Sequence, residues 1–398
     1  MVKVGLNDAH IRQLLSKVVP PLKSDLHKGQ MGRIAVIGGD ATFTGAPYYS
    51  AQAGLKFGGD LSYVFTAEQA VIPIKSYSPE LMVTPFYNSN EIMGEKPLYT
   101  DEGRSIMYEQ MAMSMASRIK PHLSKMHALV IGPGLGREPQ VFESVLQVIK
   151  QAREIELPLV LDADALYMLT GGDDADNLHS ILGYEHCVLS PNIMEFHRLV
   201  KAAESNVKQC IDDGGRLDEQ RVGLMSDLMI MAAFQSDDIS LKLSALSSYL
   251  GNTIILKGAS DLIASASITY FTTEGVQIPY VFSVNAAGSP RRCGGQGDVL
   301  AGIIGVSLHW AQLTAKEYGN IFTPVELNSN NEQVVSKSGD DEEGEGVLVS
   351  PQVAATILAS FVTKRASETA FVKQGRSMTT PDVIEEIGRA LQTVVSNE

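Results

Sequence analysis

Short apolar runs recur along the chain, and each of them ends in glycine, aspartate or asparagine. They lie at 33–39, 128–134, 158–164, 187–192 and 253–258. Strands that are buried on both faces of a parallel sheet are expected to be continuously apolar. Longer amphipathic stretches between the runs, such as 141–155, are expected to form crossover helices. The pattern therefore predicts an α/β fold with a doubly wound, mainly parallel central sheet flanked by helices.

The alternation of strands and helices predicts one domain over residues 1–398, interrupted by two insertions. The first insertion, 204–238, is mixed polar and helical. The second, 323–346, ends in an acidic run punctuated by glycine. We expect a mobile surface loop there, because the segment cannot bury enough apolar surface to order itself. An acidic interaction tail is the alternative.

Charge and cysteine content narrow the classes of function. The chain has 32 basic and 46 acidic residues, a balance of −14 that argues against binding to nucleic acid or anionic membrane. The three cysteines are scattered without a C-x-x-C pair, as is typical of a reducing compartment. No secretory signal is visible at the amino end, and no apolar run approaches the ~18 residues of a membrane span. These features predict a cytoplasmic protein.

The stretch Ser289–Gly302, "SPRRCGGQGDVLAG", is typical of an anion-binding turn. Three glycines precede an apolar periodic segment that should be a helix. Glycines let successive backbone N–H groups converge, and the start of the helix adds partial positive charge. Arg291 and Arg292 would add counter-charge. The stretch therefore predicts a cradle for a phosphate or another oxyanion.

Asp298, within this stretch, has two interpretations. A carboxylate beside a bound phosphate can accept the proton of a hydroxyl that attacks phosphorus. An aspartate at this place can instead cap the helix. The combination R-R-x-G-G-x-G-D favours the catalytic interpretation.

Other polar residues follow predicted strands. Asn192 and Glu195 form an N-x-x-E pattern that suits a magnesium-bound water or a phosphate, or a helix-capping arrangement. Asp162 is expected to order a metal or substrate, and Asp164 to cap the next helix. Lys257 and Gly258 suit a contact to phosphate or ribose. Alternatively, they are only the polar residues at which the preceding strand ends. No Walker loop or protein-kinase motif is present.

Several motifs in this order resemble one known family. They are "KGQMGRIAVIGG", "GAPYYSA", "YSPELMV", "GPGLGR", "LDADAL", "LSPNIMEF", "ILKGASD", "PRRCGGQGDVLAG" and "KQGRSMTTPDVIEEIG". Together they cover most of the chain outside the two insertions. The sequence resembles the ATP-dependent (S)-NAD(P)H-hydrate dehydratases, which are carbohydrate-kinase-domain proteins of the ribokinase-like superfamily, in their eukaryotic, fungal form.

The resemblance implies a fold and a reaction. The fold would be ribokinase-like. The reaction would repair hydrated NADH and NADPH by dehydrating the S-epimer, with ATP converted to ADP and phosphate, through phosphorylation of the ring hydroxyl and elimination of phosphate. Magnesium would accompany ATP. A separate NAD(P)H-hydrate epimerase would be the functional partner, and a homo-oligomer is compatible with the family.

The resemblance also implies site residues. ATP contacts fall on Lys257, Gly258, Ala259, Ser260 and Asp261, and on Gly288, Ser289, Pro290, Arg291, Arg292, Cys293, Gly294, Gly295, Gln296 and Gly297. Hydrate contacts fall on Gly134, Asn192, Ile193, Met194, Glu195, Phe196, His197, Arg198 and Asp298. Asp298 would be the catalytic base. The N-x-x-E spacing, independently of the resemblance, makes Glu195 a candidate for a contact to magnesium through water.

Two other functions compete with this one. A ribokinase-like kinase of a vitamin or sugar alcohol would release a stable phosphate ester, and it would use the same glycine-aspartate turn. A non-catalytic nucleotide-binding protein is the second alternative, although such a protein would have no need of an intact Asp298.

Overall fold

The computed structural model describes residues 2–6, 12, 14–87, 101–171, 177–215, 217, 225–271, 277–318, 321–327, 333–335 and 346–395. The strands are β1 Val2–Leu6, β2 Arg33–Ile37, β3 Leu61–Ala67, β4 Met82–Tyr87, β5 Ala128–Ile131, β6 Leu159–Leu161, β7 Cys187–Leu189, β8 Thr253–Leu256, β9 Asp261–Phe271, β10 Gln277–Val284, β11 Ile321–Leu327, β12 Gln333–Val335 and β13 Gly346–Val349. The α-helices are α1 Gly45–Phe57, α2 Glu68–Tyr77, α3 Asp101–Leu123, α4 Pro139–Glu154, α5 Asp164–Thr170, α6 Ile193–Asp212, α7 Asp227–Gln235, α8 Ile239–Leu250, α9 Gln296–Tyr318, α10 Pro351–Gln374 and α11 Thr380–Val395.

These strands form one sheet in the order β10-β1-β12-β11-β13-β9-β8-β7-β6-β5-β2-β3-β4. From β8 to β4 every neighbouring pair is parallel, and β9 runs antiparallel to β8. The five apolar runs of the sequence became β2, β5, β6, β7 and β8, which are consecutive neighbours in the sheet. The predicted mainly parallel α/β fold is therefore confirmed.

The register aligns the carboxyl ends of these central strands. Ile131, the last residue of β5, pairs with Ile37 on one side and with Leu161 on the other. Leu161 pairs with Leu189, the last residue of β7. The residues that follow β2, β5, β6, β7 and β8 consequently meet at one edge of the sheet, where open α/β sheets bind ligands.

Every residue of β5, β6, β7 and β8 is buried, as is expected of parallel strands covered by helices on both faces. One group of helices consists of α1, α9, α10 and α11, which pack on one another. In a second group, α3 packs on α4, α5 on α6, and α7 on both α6 and α8. In the part of the chain that the structure describes, no helix has both the length and the apolar character needed to cross a membrane.

The two expected insertions differ in the structure. Over the first, α6 simply continues to Asp212 and α7 follows, although 216 and 218–224 lie outside the described residues. Over the second, where a loop was expected, β11 pairs antiparallel with β12 and with β13. The acidic run itself, 336–345, lies outside the described residues. The assignment of 1–398 to a single domain stays a prediction.

Candidate functional site

The glycine turn before α9 is shaped by a close approach to α1. Gly295 has a φ of +100°, a conformation that glycine adopts without penalty. A Cβ at Gly295 would lie 2.7 Å from Cδ2 of Tyr49, so a side chain has no room there. The backbone N–H of Val299 donates to the carbonyl of Gly295 at 3.0 Å, which closes the first turn of the helix. A helix thus begins directly after the glycine turn, as the sequence predicted.

Asp298 is the third residue of α9 and does not cap it. Among the described residues, no hydrogen bond or ion pair ends on its half-buried carboxylate. Burial and the neighbouring carboxylate of Asp162 raise the pKa of Asp298 well above its usual range, while the ammonium of Lys257 acts in the opposite direction and Asp164 adds to the rise. Of the two interpretations of Asp298, the capping role has no hydrogen bond to support it.

A buried ion pair lies next to this turn. The Nζ of Lys257 is 2.6 Å from Oδ1 of Asp162, which is 1% exposed. The hydroxyl of Ser190 donates to the same Oδ1 at 2.9 Å. Burial works against the charge of Lys257, but Asp162 and then Glu195 more than compensate and raise its pKa. A Cβ added at Gly297 would lie 3.3 Å from this Nζ, so the cation sits directly against the glycine turn.

The N-x-x-E pattern begins α6 with a complete capping box. The side chain of Asn192 accepts hydrogen bonds from the backbone N–H groups of Met194 and Glu195. The carboxylate of Glu195 accepts from the backbone N–H of Asn192 at 2.8 Å, and its Oε2 lies 4.0 Å from Nζ of Lys257. Burial raises the pKa of Glu195, with the nearby ammonium opposing the rise. The capping interpretation is thus realised, and Glu195 also joins the charged cluster.

The other residues of 192–198, which were predicted to contact the substrate, differ in their exposure. Phe196 is fully buried in the hydrophobic core. Ile193 and Met194 are 40% and 63% exposed, and His197 and Arg198 are exposed as well. The structure therefore leaves four of these side chains accessible to a ligand and places the fifth in the core.

Asp261, in the other stretch predicted to bind ATP, is held by three groups. Its carboxylate accepts from the backbone N–H of Gly258 at 2.8 Å and from the hydroxyl of Ser360 at 2.7 Å. Nζ of Lys364 lies 3.3 Å from the same carboxylate and donates to the carbonyls of Gly258 and Ala259 at 3.0 and 2.9 Å. The turn 257–261 is thus fastened to α10 through Ser360 and Lys364, two residues that no motif in the sequence marks.

The stretch 288–297 is fastened to the carboxyl-terminal part of the chain. Nε of Arg291 donates to the carbonyl of Met378 at 2.7 Å, and the buried hydroxyl of Thr380 donates to the carbonyl of Gly294 at 2.6 Å. Arg292 is exposed. One N–H group of Arg291 therefore bonds within the protein and is not available to a ligand. The start of α11 supports the glycine turn.

Asp298 opens onto a cavity of about 540 Å³. The residues that line it are Asp40, Phe43, Ala46, Gly134, Gly136, Arg137, Ala163, Asp164 and Asp298. Gly134, predicted to contact the substrate, has a φ of +60° and lies so close to Phe43 that a Cβ would meet its carbonyl oxygen at 2.8 Å. The volume suits a small-molecule ligand.

Asp164 does not cap α5, contrary to expectation. It is the first residue of that helix, and the capping position is held by Ala163, which offers no side-chain cap. The carboxylate of Asp164 instead accepts from the backbone N–H of Gly136 at 3.1 Å and from Nε of Arg137 at 3.4 Å. Burial raises the pKa of Asp164. This side chain ties the β6 loop to the β5 loop across the cavity.

The donors at this edge suit a metal ion that arrives with a phosphate ligand. Among the described residues, no three side chains of histidine, cysteine, aspartate or glutamate are grouped so that they could hold a metal alone. Magnesium commonly uses one or two carboxylates together with substrate phosphates and water. Glu195 supplies a carboxylate beside Lys257 and the predicted phosphate turn. The donor set therefore fits a nucleotide-bound magnesium ion.

Comparison with known proteins identifies similar sequences and folds. The family model described as NAD(P)H-hydrate dehydratase matches residues 34–389. A protein of Emericella nidulans named ATP-dependent (S)-NAD(P)H-hydrate dehydratase is 36% identical, covering 96% of this chain and 93% of its own. The residues matched by the family model, 34–389, include every predicted site residue.

Solved structures share the fold at low sequence identity. A ribokinase-like superfamily protein of Enterococcus faecalis V583 has a TM-score of 0.60 at 17% identity, covering 98% of this chain and 96% of its own. The ADP/ATP-dependent NAD(P)H-hydrate dehydratase of Bacillus subtilis, co-crystallised with ATP/Mg²⁺, has a TM-score of 0.55 at 15% identity, covering 98% and 99%. The ribokinase-like architecture is confirmed.

Proposed function

Since this chain belongs to the NAD(P)H-hydrate dehydratase family, we propose that it converts the S-epimer of hydrated NADH and NADPH to the intact dinucleotides, with ATP converted to ADP and phosphate. The observation that carries the proposal is the carboxylate of Asp298. It stands at the end of a glycine turn, lines the cavity and takes no part in capping its helix. A carboxylate that the fold does not use is available for proton transfer.

The chemistry begins with a poor leaving group. The hydrated nicotinamide ring carries a hydroxyl, which does not depart readily as hydroxide. Asp298 accepts the proton of this hydroxyl, and the oxygen forms a bond to the γ-phosphorus while the bond from that phosphorus to ADP breaks. Asp298 can act in this way because its raised pKa makes it a stronger base than an ordinary carboxylate.

Elimination completes the reaction. The lone pair of the ring nitrogen assists as the carbon–oxygen bond to the new phosphate group breaks and inorganic phosphate leaves. Loss of a proton from the adjacent ring carbon restores the double bond of the dihydronicotinamide. The net change is loss of water from the hydrate and hydrolysis of ATP, so a kinase-like site performs a lyase reaction.

ATP is proposed to lie along the two stretches assigned by resemblance, Lys257–Asp261 and Gly288–Gly297. Backbone N–H groups of the glycine turn and the start of α9 would stabilise charge on the transferred phosphoryl group. Lys257 already places a cation against Gly297. Support for ATP comes also from the Bacillus subtilis relative, which was co-crystallised with ATP/Mg²⁺.

Magnesium is proposed to arrive with ATP, where it would neutralise phosphate charge. Glu195 would contact it through water. The hydrate would contact Gly134, the exposed side chains among residues 192–198, and Asp298. Phe196 has no exposed side-chain surface, so its part is to hold α6 in place.

The setting of the reaction is a further part of the proposal. We place the protein in the cytoplasm, where its three unpaired cysteines would remain reduced. A separate epimerase would supply the S-epimer from the R-epimer.

One assay separates the proposal from its main rival. Purified protein is incubated with chemically hydrated NADH and MgATP, and recovery of the reduced-nicotinamide absorbance is followed. Recovery that requires ATP and releases one phosphate per NADH supports the proposal. ATP consumption that requires an added vitamin or sugar alcohol, with no recovery of NADH, would show a kinase instead.

A further inference from the structure

The cavity beside Asp298 is lined by acidic groups. Asp40, Asp164 and Asp298 contribute three carboxylates to its wall, and Arg137 is the cation among its described lining residues. An anionic ligand entering this space meets repulsion from the carboxylates. Arg137 is therefore the side chain of the wall that can attract it.

Contacts within the protein hold Arg137 in place but occupy only part of its hydrogen-bonding capacity. Its guanidinium carbon lies 4.1 Å from the centroid of the Tyr167 ring, and its Nε donates to Oδ1 of Asp164 at 3.4 Å. The side chain is 61% exposed. Among the described residues, no hydrogen bond is made by either Nη group. An arginine fixed through its Nε and its ring stack keeps two N–H-bearing groups ready for a ligand.

The β5 loop, which carries Arg137, runs along the wall of the cavity. Gly134 and Gly136 have φ values of +60° and +79°, so the β5 loop turns twice in conformations that favour glycine. A Cβ at Gly136 would meet Oδ2 of Asp40 at 2.9 Å, which shows how closely the loop approaches the opposite wall. Arg137 leaves the loop directly after this approach.

We propose that Arg137 binds the phosphate groups of the dinucleotide substrate through its two Nη groups. The inference rests on the proposed function, because a hydrated dinucleotide carries a pyrophosphate that needs a cation in this acidic wall. Arginine suits the task, since its planar fork contacts two phosphate oxygens at once. Arg137 thereby selects a phosphorylated substrate over the bare nicotinamide riboside.

The test compares Arg137→Gln with the wild type on two substrates. The KM for hydrated NADH should rise by about 10- to 100-fold, the range expected for one charge-assisted contact. The KM for ATP and kcat should each stay within about twofold of the wild-type values. With hydrated, reduced nicotinamide riboside, which has no phosphate, the variant and the wild type should behave alike. NADH binding, followed by its fluorescence, should weaken by the same factor as the KM.

Arg389→Gln is the matched control, because Arg389 is also an exposed arginine paired with a carboxylate, at 3.2 Å from Glu386 on α11. It should leave every constant unchanged. A KM for hydrated NADH within twofold of wild type in Arg137→Gln overturns the inference. So does an equal loss with the riboside, which would show a structural role. If the wild type performs no ATP-dependent repair, the proposed function fails, and NADH binding by the two proteins still decides the role of Arg137.

Discussion

Two turns at the same edge of the sheet each combine glycine with an aspartate, and the structure uses the two aspartates differently. Asp261 is 5% exposed, and its carboxylate contacts Gly258, Ser360 and Lys364. Asp298 is half-buried at the start of α9, and no hydrogen bond of the described residues reaches its carboxylate. The first aspartate holds its turn in shape, and the second is left for a ligand.

The difference shows that the partners of a buried carboxylate decide whether it stabilises the fold or remains available for catalysis. Burying a charged group costs free energy unless hydrogen bonds and an opposite charge compensate for it. Asp261 receives all of these compensations. Asp298 receives only the influence of Lys257 at longer range, so its pKa rises instead. The site therefore places a carboxylate with a raised pKa among side chains whose hydrogen bonds are satisfied.

The largest effect on stability should come from Asp261→Ala. Removal of the carboxylate leaves the ammonium of Lys364 without its buried partner, and breaking such a pair costs about 3–5 kcal/mol. The free energy of unfolding, measured by urea denaturation, should fall by this amount. Asp298→Ala is the matched control and should lose far less. An unchanged unfolding midpoint in Asp261→Ala would contradict the structural role.

The next effect concerns the shape of the glycine turn. Gly295→Ala forces an L-residue into a φ of +100° against Tyr49, a strain of roughly 1–3 kcal/mol. ATP-dependent turnover should fall at least about tenfold, because small displacements of reacting groups are costly. Gly294→Ala is the control, since nothing lies within 4 Å of its Cβ position. Equal activities of the two variants would show that the turn tolerates displacement.

The pH dependence should respond to the charged groups that face Asp298. The base must be deprotonated, so kcat should rise with pH through the raised pKa of Asp298. Asp162→Asn removes a cause of the rise and should move this acidic limb to lower pH. Lys257→Met removes the opposing charge and should move the limb to higher pH. The two variants should therefore displace the limb in opposite directions.

An acidic limb that stays in place in both variants would show that neither charge acts on Asp298, and displacement in the same direction in both would contradict the opposite effects assigned to Asp162 and Lys257. The other carboxylates nearby, Asp164 and Asp40, are unchanged in both variants and serve as a constant background. The pH–rate profile of each purified variant is the measurement, with ATP saturating.

The smallest effect is a gain in stability. A carboxyl whose pKa is higher in the folded than in the unfolded chain binds more protons when folded, so stability falls as pH rises through that range. At neutral pH, Asp298→Asn removes this penalty and should raise Tm by roughly 1–3 °C. At a pH below the usual carboxyl range the gain should vanish. A lower Tm at neutral pH would mean that the carboxylate supports the fold.

Sequence patterns predicted the central strands and the glycine turn because both depend on neighbours along the chain. Apolar runs and the change to helical periodicity are local signals, and β2, β5, β6, β7 and β8 followed from them. The strands β11 and β12 were missed because the polar and acidic composition of 323–346 hid two short strands within it. These strands pair with each other, and β11 also pairs with β13 at the end of the same segment.

The roles of the aspartates could not be separated from the sequence. Ser360 and Lys364, which satisfy Asp261, follow it by about a hundred residues. Thr380, which supports Gly294, is similarly distant. The N-x-x-E pattern shows the opposite case: its capping box is local, and the sequence proposed it as one of two readings. Long-range contacts decided what each polar group does.

The most direct test of the proposed base is the rate of hydrated NADH repair by Asp298→Asn at saturating MgATP, with ATP affinity measured on the same preparation. The amide keeps the size of the side chain but cannot accept the proton at neutral pH. We expect kcat to fall by about 10²–10⁴-fold, as is typical of loss of a general base, while the affinity for ATP changes less than about threefold. A kcat within tenfold of wild type would contradict the assignment of Asp298 as the base.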